Sequence, residues 1–249
     1  MDQFKYFYYE RLPEEPSGLN KTILFVHGAG GSGSYWTRQL IEIGSMARTV
    51  AVDLPGHGRS EGTAYDSIAA YSELIRKFAE KAIGGSFYLC GHSLGGAVAL
   101  DFTLAHPELL QGVILMSTGA RLSILPAILD ILKSGLHYHK LAEIIYSKKA
   151  RRRMVALGAQ EMAATSPLVW FKDFTACDRF DVTARLAEIQ LPVLILTGTD
   201  DLLTPVKCGR SLAAGLANAR LYEIEGAGHM PMLEKTEDVN SYIVDFINK

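Results

Sequence analysis

A serine that closes an apolar strand and opens a helix, with a glycine two residues to either side, is placed to attack a carbonyl. The chain carries one in Tyr88-Leu89-Cys90-Gly91-His92-Ser93-Leu94-Gly95-Gly96. So tight a turn forces Ser93 into a strained backbone conformation with positive φ. Side chains two residues away would collide with it, hence Gly91 and Gly95. The turn presents a hydroxyl beside a helix N-terminus, which favours developing negative charge. The five-residue G-x-S-x-G pattern is weak alone, and its strand–turn–helix setting makes it specific.

A hydroxyl attacks poorly until a base takes its proton. Gly226-Ala227-Gly228-His229-Met230-Pro231 supplies an imidazole on a loop directly after the last strand-like run. The acid that orients it should follow the preceding strand, and LPVLILTG runs straight into Thr199-Asp200-Asp201. Ser93, Asp201 and His229 thus read as nucleophile, orienting acid and base, in the chain order serine, acid, histidine. Acyl transfer also needs N–H donors for an oxyanion. Leu94 offers one as the first residue of its helix. The second is expected from His27-Gly28-Ala29-Gly30-Gly31-Ser32-Gly33, where four glycines in seven residues let main chain approach a substrate closely. Ala29 is the favoured donor and Gly30 the alternative. The same run lacks the Lys-Ser/Thr of a phosphate-binding loop.

These loops need a scaffold whose strands all end at one edge. Apolar runs at 22–27, 49–53, 86–91, 112–117, 191–198 and 219–225 alternate with helical stretches near 34–43, 67–82, 94–106, 206–216 and 237–248. The runs are nearly continuous and rich in Val, Ile and Leu, as parallel strands buried on both faces require. The alternation predicts an α/β fold, a mostly parallel sheet with helices on both faces. Phe4 to Arg11 reads as one or two edge strands, followed by a turn at Pro13, Pro16 and Gly18. Between Ser117 and Leu191 there is no strand-like run. Leu125, Ile128, Leu129, Leu132 and Leu136 form a stripe at helical spacing, continued by Leu141, Ile144 and Ile145. The expectation is one domain over 1–249, with a helical cap inserted at approximately 119–187 over the edge where ligands bind.

At 249 residues, with 48% hydrophobic and 21% charged residues, the composition suits a domain with a sizeable core. A net charge of −2 gives no reason to expect nucleic acid. No run approaches the roughly 18 apolar residues of a membrane span, and MDQFKYFYYE lacks the apolar stretch of a signal peptide. Cys90, Cys177 and Cys208 form neither a disulfide framework nor a zinc motif. The expected location is the cytoplasm. The histidines other than His229 read as structural: His27 and His57 bonding backbone, His92 packed between strands, and His137 and His139 exposed without a third metal ligand. Lys148-Lys149-Ala150-Arg151-Arg152-Arg153 reads as a solvated helix face, with docking of an acidic carrier protein as the disfavoured alternative. Trp170, Phe171, Phe174 and Met230 are candidates for an apolar acyl pocket, beside Gly30.

Over essentially its whole length the chain resembles the α/β-hydrolase fold family. Besides the serine turn it carries Asp53-Leu54-Pro55-Gly56-His57-Gly58-Arg59-Ser60, a loop common in the ester- and carbon–carbon-cleaving branches. Gly198 to Pro205 resembles the family's G-x-x-D-x-x-x-P, a register that selects Asp201 over Asp200. Gly228-His229 with Glu234 resembles its histidine loop. The resemblance implies a serine hydrolase acting on a small apolar carboxylic ester, lactone or thioester, with no metal or organic cofactor. A carbon–carbon hydrolase of a vinylogous diketone, an acyltransferase and a non-catalytic small-molecule receptor are the alternatives. Asp-dependent dehalogenases and epoxide hydrolases are disfavoured, because Ser93 stands where they carry Asp.

Overall fold

A computed structural model describes residues 6–13, 21–138 and 140–249. Its seven strands are β1 (Tyr8–Arg11), β2 (Thr22–Val26), β3 (Arg48–Val52), β4 (Phe87–His92), β5 (Leu110–Met116), β6 (Val193–Gly198) and β7 (Ala219–Ile224). They form one sheet in the order β1-β3-β2-β4-β5-β6-β7. Only β1 is antiparallel, paired to β3 from Tyr8↔Val52 to Arg11↔Thr49. The six apolar runs are thus the six parallel strands, and one edge strand forms from the aromatic first segment. Pro16, Gly18 and the start of that segment lie outside the described residues.

Alternation along each strand decides which helices it meets. In β2, Leu24 and Val26 join the core under α2 (Ile68–Ala82), α3 (Leu94–Ala105) and α8 (Val206–Gly215). Ile23 and Phe25 join the opposite core, with α1 (Thr37–Ile43) and α10 (Thr236–Ile247). Both faces are therefore covered. Local signals set the helix starts: Ser67 accepts the Ala70 N–H to cap α2.

Among the described residues four α-helices stand between β5 and β6, α4 (Pro126–Lys133), α5 (Leu141–Ile145), α6 (Arg152–Ala164) and α7 (Pro167–Asp178), followed by a 3₁₀ turn at Thr183–Glu188. Apart from an isolated Arg121↔Asp181 bridge, this interval holds no strand among the described residues. The insert is more broken than its leucine spacing suggests. Pro126 starts α4 and Gly135, at φ +82°, follows its end, so Ile128 and Leu132 are buried while Leu125 and Leu136 are 68% and 63% exposed. The basic run also departs from a helix face. Lys148 and Lys149 lie in the connection after α5, Arg151 is the N-cap of α6, and only Arg152 and Arg153 are helical; all five are exposed. Ser166 caps α7 by accepting the Leu168 N–H, and Pro167 fixes its first residue. No helix among the described residues is long and apolar enough to cross a membrane. The short helix α9 (Pro231–Glu234) follows the histidine loop.

Candidate active site

Ser93 sits between β4 and α3 with φ 53° and ψ −117°, the strained turn its neighbours imply. A Cβ on Gly91 would lie 2.0 Å from Gly95 O, and one on Gly95 would lie 2.4 Å from Val26 O. No other residue fits either place. The turn is tied to its surroundings through Ser93 N–H to Met116 O (2.9 Å) and Thr118 Oγ1–H to Ser93 O (2.9 Å).

Asp201 follows β6 and His229 follows β7. Their side chains meet at 2.9 Å, His229 Nδ1 to Asp201 Oδ2, both almost fully buried. Asp201 Oδ1 takes the N–H groups of Leu203 (2.9 Å) and Thr204 (3.0 Å), and Thr204 Oγ1 donates to Oδ2 at 2.8 Å. Burial alone would raise the Asp201 pKa. The facing imidazole and these donors outweigh it, so the carboxyl is held below its ordinary value and stays ionised. Asp200 points elsewhere: its Oδ2 accepts from Ser147 Oγ at 2.6 Å, on the insert. An imidazole whose Nδ1–H is given to a carboxylate keeps the lone pair of Nε2 for a proton.

The histidine loop is held from two sides. Gly228 N–H donates to Glu234 Oε1 (3.0 Å) and His229 N–H to Ile145 O (2.7 Å), while Glu234 Oε2 accepts the Ser147 N–H (2.9 Å). His92, next to Ser93, donates from Nε2 to His229 O at 2.8 Å, joining the serine turn to this loop. Burial and the neighbouring His229 lower the His92 pKa to about 3, so it is a neutral linker. His27 is equally neutral, with its pKa lowered to about 3 by burial and the neighbouring His57. It donates from Nδ1 to Gly28 O (2.8 Å) and accepts the Leu54 N–H at Nε2 (3.0 Å).

Gly28 to Gly31 form a turn closed by Gly31 N–H to Gly28 O at 3.1 Å, with Gly30 at φ +61°. Among the described residues no acceptor takes the Ala29 N–H, and the Leu94 N–H, first in α3, has no intrahelical partner. Gly30 is different, which removes it as the alternative donor. Its N–H donates to Asp173 Oδ2 at 2.8 Å and its carbonyl accepts from Thr165 Oγ1 at 2.8 Å. A Cβ there would come within 2.1 Å of the Trp170 ring.

The candidate pocket residues fall in different places. Trp170 is buried on Gly30, edge-on to Phe174, and its Nε1–H donates to Met162 O. With Leu132, Tyr138, Leu141, Ala159 and Met162 it lines a cavity of about 100 Å³ within the insert. Phe171 is half-buried; Met230 is buried beside His229. No group of three or more metal-ligating side chains occurs among the described residues, and His139 lies outside them.

Sequence reasoning missed Asp173 altogether. It is fully buried and joins Gly30, His57 and Tyr71, the last at 2.5 Å. Spacing carried no signal for it: PLVWFKDFTACD holds two carboxylates, of which Asp178 is exposed, and only the packing of the helix buries Asp173, where a buried charge demands partners. Thr204 and Ser147 were missed too, because a hydroxyl beside a motif carries no distinguishing spacing.

The family model described as "Alpha/beta hydrolase family" matches residues 23–241. A protein of Rhizobium rhizogenes described as the carbamate hydrolase RutD is 30% identical, over 91% of this chain and 92% of its own. A 2-hydroxy-6-oxo-6-phenylhexa-2,4-dienoate hydrolase of Comamonas testosteroni is 26% identical, over 94% of this chain and 90% of its own. A solved thermophilic esterase is 29% identical, covering 100% of this chain and 95% of its own at a TM-score of 0.86. The chain belongs to the alpha/beta hydrolase family, and it is a hydrolase.

Proposed function

We propose that the protein is a serine hydrolase that cleaves a carboxylic ester, a lactone or a thioester of a small apolar substrate through an acyl-enzyme on Ser93. The observation that carries this reading is the buried Asp201–His229 pair, tied through His92 to the strained serine turn. In the first half-reaction His229 Nε2 takes the Ser93 proton as Oγ attacks the carbonyl. The oxyanion lies on the Ala29 and Leu94 N–H groups. The same proton then goes to the leaving alcohol or thiol. In the second half, water gives its proton to His229, attacks the acyl group, and Ser93 leaves with that proton. Asp201 holds the Nδ1–H tautomer and offsets the imidazolium charge. Helices α4–α7 act as a cap, with Trp170, Phe174 and Met230 as apolar walls.

Cleavage of a carbon–carbon bond is the second reading, favoured by the Comamonas relative. A dienoate carries a carboxylate, and no Lys or Arg is buried among the described residues to meet one. That absence of a partner favours an uncharged substrate. The test is a series of p-nitrophenyl esters of graded acyl length beside a vinylogous diketone acid. Ester kcat/KM is expected to exceed that for the diketone by roughly 100-fold or more, the scale on which a site rejects a group it cannot pair. A higher kcat/KM for the diketone would replace the ester reading.

The exposed basic run offers a separate test of partners. Changing Lys148, Lys149, Arg151, Arg152 and Arg153 to Gln should leave turnover of both a small ester and a carrier-linked ester unchanged. A loss confined to the carrier-linked ester, shrinking as salt shortens the roughly 8–10 Å screening length, would instead assign carrier docking there.

A further inference from the structure

His57, on the loop after β3, and Asp173, on α7, form a buried pair at 2.8 Å, His57 Nε2 to Asp173 Oδ2. Every polar atom of the pair has a partner. Asp173 accepts the Gly30 N–H on Oδ2 and the Tyr71 O–H on Oδ1, and its Oδ2 shares one further proton with His57 Nε2. His57 Nδ1 lies 3.0 Å from Pro55 O, which can only accept. Nδ1 of His57 therefore carries a proton, and the shared proton makes the ring an imidazolium when Nε2 holds it more strongly than Oδ2 does. Burial alone would lower the His57 pKa, but Asp173, the Pro55 carbonyl and Asp53 outweigh it, and the pKa is raised. The other titratable groups facing the pair are His27, whose ring centroid is 4.9 Å from that of His57, and Tyr71, with Cys177 next to Asp173. His27 is neutral, and the Tyr71 and Cys177 pKa values are both raised by burial first and by Asp173 second. None of them competes for the charge.

We infer that Asp173 is a positioning residue for acyl transfer: an insert carboxylate, paired to the His57 imidazolium, that fixes the Gly28–Gly31 turn through the Gly30 N–H. This inference rests on the proposed role of the Ala29 N–H as an oxyanion donor. The Gly30 amide belongs to the peptide unit next to the Ala29 amide. Anchoring its N–H on Asp173, its carbonyl on Thr165 and its Cα against Trp170 leaves that turn one shape. The insert thereby sets the geometry of a donor it does not itself contribute. An oxyanion donor works only when it needs no reorganisation as charge develops, so loosening the turn should reduce kcat and leave substrate binding nearly alone.

Two variants and one spectrum test this. Asp173→Asn keeps the shape but lacks the charge and one acceptor, and His57→Gln keeps an N–H toward Asp173 without its charge. Each is expected to lower kcat on a p-nitrophenyl ester about 10- to 100-fold, the scale of a small misplacement at a reacting centre. KM should stay within about twofold, and a trifluoromethyl ketone, which forms a tetrahedral adduct, should lose affinity by the same factor as kcat/KM. A rise in KM at constant kcat, or full activity in both variants, would overturn the inference. In the wild type, ring ¹⁵N shifts of His57 should show an imidazolium at pH 7.5, where an ordinary histidine is about nine-tenths neutral. A neutral His57 would overturn the inference even if neither variant folded. Wild-type protein that hydrolyses no ester and reacts with no fluorophosphonate would refute the serine-hydrolase reading instead. Active wild type with fully active variants would refute only the role of Asp173.

Discussion

Replacing Ser93 by Ala should leave a folded protein whose ester turnover is lower by roughly four to six powers of ten, the loss usual for an acyl-transfer nucleophile. Oγ is the only atom removed, and with it the acyl-enzyme. A fluorophosphonate should label the wild type at Ser93 and fail to label the variant. Labelling of a different serine, with the variant still active, would move the chemistry elsewhere. The same position separates mechanism from folding. Alanine keeps the strain of φ 53°, whereas glycine adopts that backbone freely. Strain of this kind costs about 1–3 kcal/mol, so Ser93→Gly should be equally inactive yet unfold at a higher temperature than Ser93→Ala.

Asp201→Asn is expected to reduce kcat by about four powers of ten, while Asp200→Asn changes it by no more than a few-fold. The asymmetry follows from what each carboxylate touches. Asp201 accepts from His229 Nδ1, and an amide there would let the ring adopt the wrong tautomer or present the wrong donor. Asp200 accepts from Ser147 Oγ and does not reach the imidazole. An asparagine at 200 still offers an acceptor to that hydroxyl. Steady-state kinetics on one p-nitrophenyl ester decides the matter, and the opposite ranking would shift the acid by one residue.

What could be read in advance was whatever depends on neighbours in sequence. The strand runs were legible because a strand buried on both faces must be apolar at nearly every position, as Ile23 to Val26 are. The serine turn was legible because its strand–turn–helix setting is local and Gly91 is demanded by backbone contacts only a few residues away, although Gly95 answers to Val26 and His27 at the end of the neighbouring strand. The motif register chose Asp201, and the imidazole lies against it. The insert was harder. Its helical character showed, but Leu125 and Leu136 extend the stripe beyond a helix that ends at Lys133, and both are exposed. Periodicity does not register a Pro–Gly boundary unless those residues are weighed first. Asp173 and His57 were illegible for another reason. They are 116 positions apart, and the partner that gives His57 its second bond arrives only when α7 packs on the glycine turn. His57 does bond backbone, as its loop implied, but only with one nitrogen.

The insert touches both banks of the site. Asp173, Thr165 and Trp170 hold the glycine turn and the His57 loop, whereas Ile145 and Ser147 hold the histidine and acid loops. Such a segment is not a detachable module. A foreign insert exchanged for it would take from the Gly30 N–H, His57 Nε2, Asp200 Oδ2 and Glu234 Oε2 the partners they have on the insert, all at once. Change of substrate range in this lineage is therefore expected to travel by point substitution at cavity positions such as Leu132, Ala159 and Met162, which line space without serving as anchors through their side chains. Recombination of whole inserts would succeed only when the glycine turn and the two loops after β6 and β7 are inherited with them.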